Sequence, residues 1–229
     1  MARMKSTHRG RSLALPCTMP ATTLLGSCRL VLALAIIVAI AATLLDTLTR
    51  GPVNVFNFFG YFTIQSNLLL AGALIAAAAY DLRGRAKPRS LELYMAYTTT
   101  YIVIVGLVYA LLLAPLGAAG GVPVPWANFV LHYLTPVAAA VVWLLVGDRR
   151  GLRWNRLLGV LVYPTIWLTV VLIRGATDGW VPYPFLDPAN GYGSVAVTCV
   201  FICVAILGVG ALVFWASRLR LLAVGATED

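Results

Sequence analysis

The chain has 229 residues, 61% of them hydrophobic and only 11% charged, with a mean hydropathy of +0.89 and a net charge of +9. Soluble domains carry roughly 25% charged residues, and a fold of this length has no interior large enough to hide so much apolar surface, so a soluble globular protein is excluded. The basic residues fall in short clusters between apolar runs, with no interleaved aromatics, which argues against nucleic acid as a partner.

In chain order, residues 1–28 read as a basic, disordered cytoplasmic tail, with Met4 and Met19 as alternative starts. Six apolar runs follow, at about residues 29–48, 58–80, 92–116, 126–147, 154–173 and 194–215, each near the roughly 20 residues that a spanning helix needs. The first run resembles a signal peptide in its basic flank and Ala39-Ile40-Ala41, but it is longer than the usual 7–15 residues of such a segment and is taken as a span. The predicted fold class is all-α: a polytopic membrane domain of six transmembrane helices over residues 29–217, followed by a short cytoplasmic tail at 218–229. Arg3, Lys5, Arg9, Arg11 and Arg29, then Arg83, Arg85, Lys87 and Arg89, then Arg149, Arg150, Arg153 and Arg156, and finally Arg218 and Arg220, all fall on one side; only Arg50 and Arg174 fall on the other. The positive-inside rule then predicts both termini in the cytoplasm. No internal repeat is evident, and the four cysteines form neither a disulfide framework nor a zinc pattern. Cys199 and Cys203 lie one turn apart in the last run.

Polar residues inside a span are costly and are functional candidates by default. In the second run Thr63, Ser66 and Asn67 share one helix face, with Gly60 a turn earlier where it would admit a substrate or a close helix. In the fourth run Asn128, His132 and Thr135 share a face. Both runs descend from the outer side, and at 1.5 Å per residue Thr63 lies about 7–8 Å below the start of its run and His132 about 9 Å below. A threonine beside a histidine can serve as a nucleophile with its base: imidazole takes the hydroxyl proton as oxygen attacks an ester carbonyl. The bland reading has the threonine bonding its own i−4 carbonyl and the histidine bridging helices. His8 is the only other histidine and lies in the tail, so a bis-histidine haem within one chain is excluded, and no cofactor and no metal are expected. The outer loop from Arg174 to Pro188 reads as an interfacial aromatic belt or as a lid over a pocket. Asp187, Asp178 or Asp46 is placed to orient His132, and Arg174 or Arg50 to attract a substrate carboxylate. Tyr94, Tyr97 and Tyr101 form a stripe that suits helix packing, and Pro136 and Pro164 suit kinks.

Three motifs carry a resemblance: Tyr61-Phe62-Thr63 at the start of the second run, Trp126-x-Asn128-x-x-x-His132 in the fourth, and Gly179-Trp180-x-x-Tyr183-Pro184-Phe185-Leu186-Asp187 before the sixth. In their order and topology the sequence resembles the androgen-induced protein family, six-span membrane proteins that include threonine hydrolases for fatty acid esters of hydroxy fatty acids. The resemblance covers roughly residues 29–216. It implies that Thr63 is the nucleophile and His132 its partner, in a lipid-ester hydrolase of the cytoplasmic membrane whose partners are membrane lipids or a lipid-ester substrate. Ser66, Asn67, Asn128, Arg174 and Asp187 are then candidates for orienting groups or substrate contacts, with Asn128 or Ser66 supplying an oxyanion donor. The animal members carry a Glu where Asp187 stands and a second His near Asn128, so the substrate is open to change. The alternative is a transporter or lipid-binding protein that uses the same polar cluster. Oligomeric state is not legible.

Overall fold

A computed structural model describes residues 20–219, 221 and 222; the remainder of the expected tails, residues 1–19, 220 and 223–229, lies outside the described residues. Six helices are long and apolar enough to cross a bilayer: span 1 (Ala21–Thr49), span 2 (Phe62–Asp81), span 3 (Arg89–Gly117), span 4 (Pro125–Leu145), span 5 (Trp154–Thr177) and span 6 (Tyr192–Ala216). The described chain contains no strand beyond an isolated bridge between Val146 and Leu222, so this is an all-α, multi-pass membrane protein.

Two of the boundaries that differ from the sequence expectation change how a residue is read. Span 1 starts at Ala21, directly after Pro20, so residues 21–28 are helix and not tail. Arg29 looked like a charge at a helix edge, but its side chain is only 3% exposed and is paired inside the bundle. Span 2 starts at Phe62, because Tyr61 adopts an extended conformation (ψ 133°) that ends a separate short helix, Val55–Gly60. Asn54 caps that short helix by accepting from the N–H groups of Phe56 and Asn57. Gly60 therefore does not extend the face of Thr63. A Cβ at Gly60 would lie 2.5 Å from the Trp180 ring, so its missing side chain admits the indole of the loop before span 6.

Spans 1 to 4 form a bundle in which span 1 packs on span 2 and the first half of span 4, and span 3 packs on spans 2 and 4. Span 6 joins the other side of span 3, and the first turns of span 5 (Trp154–Leu161) lie against span 6. Lipid offers apolar residues as good a solvent as their neighbours do, so close packing relies on small residues. Ala33 and Ala39 of span 1 and Ala71, Ala73, Ala77 and Ala78 of span 2 are all buried. The tyrosine stripe of span 3 ties helices together: Tyr94 donates to Leu69 O (2.9 Å), Tyr97 to Arg156 O (2.5 Å), and Tyr101 packs on Tyr163.

The face that carries both ends of the bundle is held by charge. Arg29 of span 1 pairs with Asp81 at the end of span 2 and, at 2.6 Å, with Asp148 after span 4. Lys87, before span 3, pairs with the same two carboxylates at 2.7 and 3.0 Å. The result is a closed, neutral ring of two cations and two anions whose side chains are 3–5% exposed. Beside it, Arg149 donates to the backbone carbonyls of Trp143, Val146 and Ala216, which joins the last turns of spans 4 and 6. Arg150 pairs with the buried Glu92 of span 3 at 3.1 Å.

Removing one member of such a ring strands a buried charge. Asp148→Asn is expected to lower stability by about 3–5 kcal/mol, read as earlier loss of helical circular dichroism on heating in detergent. The wild type also has an acid limit. Burial alone would raise the Asp148 carboxyl, but Arg29 and Lys87 hold it below its ordinary 3.8. Its contribution is therefore complete above that value and is lost as pH falls through the depressed one; Asp148→Asn should lack this component of the acid transition.

Candidate functional site

Thr63 and His132 open into one cavity of about 640 Å³ at the face opposite the buried ion-pair ring. Its walls come from the end of span 1, the short helix Val55–Gly60, the loop at residues 120–123 and Pro182-Tyr183-Pro184. Thr63 also lines a second, apolar cavity of about 300 Å³ between spans 3, 5 and 6. Thr63, Tyr183 and Leu113 are common to both.

Thr63 lies in the first turn of span 2, where backbone N–H groups have no partner within the helix. Tyr183 supplies one: its hydroxyl accepts from Thr63 N at 3.3 Å. Burial pushes the Tyr183 phenol up to about 12, so it keeps its proton and remains a donor at neutral pH. The amino end of a 20-residue helix adds a partial positive charge beside Thr63.

His132 sits in a π turn, Val130–Leu134, and faces another π turn in span 3, Tyr109–Leu113. Such turns recur at functional sites. The rings of His132 and Tyr109 stack with centroids 4.1 Å apart. His132 Nδ1 lies 3.2 Å from the backbone carbonyl of Asn128. A carbonyl only accepts, so Nδ1 carries the hydrogen and Nε2 keeps its lone pair. Thr63 and His132 are not hydrogen-bonded to each other; they share a cavity.

Asn67 fixes the relation between the two helices. Its Nδ2 donates to Thr63 O (2.9 Å) and to Leu131 O (3.3 Å). The Leu131 carbonyl is available for a local reason. Within the π turn Thr135 N bonds Val130 O, five residues back. The next such bond would come from residue 136, and Pro136 has no N–H. Asn67, fully buried, fills that gap and ties the backbone next to His132 to that of Thr63. At the same height Gly106 of span 3 leaves room for Pro136.

The other predicted site residues are placed differently. Ser66 is fully buried and lines neither cavity. Asn128 spends its side chain on structure: Oδ1 accepts from Val122 N (3.1 Å) and Nδ2 donates to Tyr109 Oη (2.6 Å). Arg174 pairs with Asp178 (2.6 Å) and Asn57 (2.7 Å) and lies over the Trp180 ring. Asp187 accepts from Ala189 N in its own turn, and Asp46 pairs with Arg50. None of these carboxylates orients His132; the Asn128 carbonyl does. In the sequence Tyr183 is one member of the motif before span 6, and nothing in its spacing marks it as a neighbour of Thr63, 120 residues away. Among the described residues, no three of His, Cys, Asp and Glu converge on a point that would hold a metal ion.

Comparison of the chain with protein-family models, curated proteins and solved structures returns no match.

Asn67→Leu keeps the branching of the side chain but leaves the Leu131 carbonyl buried without a donor, and is expected to cost about 1–3 kcal/mol. Adding Pro136→Ala restores a backbone N–H at that point and should recover part of the loss; thermal unfolding of the two variants in detergent makes the comparison.

Proposed function

We propose that the protein is a membrane-embedded lipid-ester hydrolase with a Thr63–His132 dyad at the extracytoplasmic face. The observation that supports it is the single cavity lined by Thr63 and His132, with Nε2 as the ring nitrogen that keeps a lone pair. The placement of basic residues supports a plasma-membrane orientation with both termini in the cytoplasm, which puts this cavity outside. The resemblance to the androgen-induced protein family supports the same roles and suggests fatty acid esters of hydroxy fatty acids as one substrate class.

In the first step Thr63 Oγ1 attacks the ester carbonyl as His132 Nε2 takes the hydroxyl proton. The Tyr183 hydroxyl and the amino end of span 2 stabilise the negative charge that develops on the carbonyl oxygen. Collapse expels the alcohol, which receives the proton from His132, and leaves an acyl-threonine. Water from the outer cavity attacks this ester with His132 again as base. The fatty acid departs as the proton returns to Thr63. The Asn128 carbonyl holds the required tautomer throughout, so the dyad needs no carboxylate.

The test is labelling by a fluorophosphonate probe in lipid, in wild type and in Thr63→Ala and His132→Ala. Wild type is expected to label, Thr63→Ala not at all, and His132→Ala at least about 100-fold more slowly, as loss of a general base implies. Labelling that persists in well-folded Thr63→Ala overturns the mechanism. A wild type that binds lipid esters but neither labels nor hydrolyses them favours a carrier or transporter.

A further inference from the structure

The apolar cavity raises a question that the dyad does not answer, namely what fills it. Spans 5 and 6 pack most closely near the basic face, through Trp154–Leu161; above Val162 their backbones draw apart. The 300 Å³ crevice lies in that gap, with Ile104 and Ile206 buried at its base. Val200, Cys203 and Thr165 lie on its walls and are themselves exposed on the outside of the bundle, where lipid would surround them. The crevice thus has a side opening toward the bilayer. Thr63 and Tyr183 line its upper end, and most of its remaining wall is aliphatic or aromatic.

This distribution fits one kind of occupant. A polar solute would leave its hydrogen bonds unmet along the crevice. An amphiphile with a carbonyl at one end would match both parts. Cys199 to Ile206 spans seven residues of helix, about 10 Å, which takes about eight or nine carbons of an extended chain. We propose that the gap between spans 5 and 6 is a lateral portal, through which one acyl chain of a bilayer lipid enters the crevice and brings its ester carbonyl to Thr63. Water and the departing alcohol use the other cavity, so the two reactants reach Thr63 from different phases. The acyl site rests on the proposed hydrolase reading for its purpose but not for its detection.

The full chain is reconstituted in phosphatidylcholine vesicles that carry a small fraction of a phosphatidylcholine with a diazirine midway along one acyl chain. Photolysis is expected to cross-link the buried crevice residues Ile104 and Val105 as well as the outward residues Phe201 and Val204. Cys203→Trp, which fills the portal, should abolish the inner cross-links and spare the outer ones. In parallel, Cys203→Trp should slow labelling by a hexadecyl fluorophosphonate by at least about tenfold, because several methylenes lose their burial, while an ethyl fluorophosphonate labels as in wild type. Val200→Trp, on the same rim, should reproduce this split. Cross-links confined to outward residues, or equal loss of both probes in both variants, overturn the portal. Inner cross-links without any phosphonate labelling would leave the acyl site standing and remove the hydrolase; labelling without inner cross-links would do the reverse.

Discussion

The rest of the architecture hangs from the closed ring of Arg29, Asp81, Lys87 and Asp148. Four charges buried together are tolerable only because each cation meets two carboxylates and each carboxylate two cations. Coulomb attraction at low dielectric then offsets the large penalty of removing them from water. The ring uses the start of span 1, the end of span 2, the entrance to span 3 and the exit of span 4. Any sliding of one helix along its neighbour would break a pair, so the ring acts on register as well as on stability. Arg149 and Arg150 extend the same fixing to spans 6 and 3.

With one face of the bundle fixed by charge, the other is free to be irregular. The short helix before span 2 ends at Tyr61, spans 3 and 4 widen into facing π turns, and Pro136 interrupts the ladder of span 4. Each departure frees a backbone group that a bilayer would not solvate. Two freed groups are met by side chains of the site, Tyr183 taking Thr63 N–H and Asn67 the Leu131 carbonyl, and His132 bonds the carbonyl of Asn128 one turn back. The hydrogen bonds that repair the helices are therefore the ones that position the candidate nucleophile and base. This economy explains why residues of structural and chemical interest coincide here.

Much of this was visible in the residues. Hydropathy alone determined six spans, since 229 residues with 11% charge have no other solvent in which to fold. The spacing of Thr63, Asn67 and His132 was enough to mark the polar surfaces of spans 2 and 4, because helical period decides which residues share a face. The boundaries were less legible. Arg29 marked an edge only so long as a charge was assumed to face water, and Gly60 stayed on the face of Thr63 only so long as the helix was assumed continuous.

What tertiary structure alone decided is partnership. Asp187, Arg174 and Asp46 look available in sequence, yet each is consumed by a neighbour within four residues or by its own turn. Tyr183, which carries no local signal, meets Thr63 across 120 residues. The pairing of Arg29 with Asp81 and Asp148, and the gap between spans 5 and 6, likewise depend on which helices become neighbours. Composition and period act within a segment and are written along the chain. Contacts between segments depend on packing order and on rotation about each helix axis, and no local pattern encodes either.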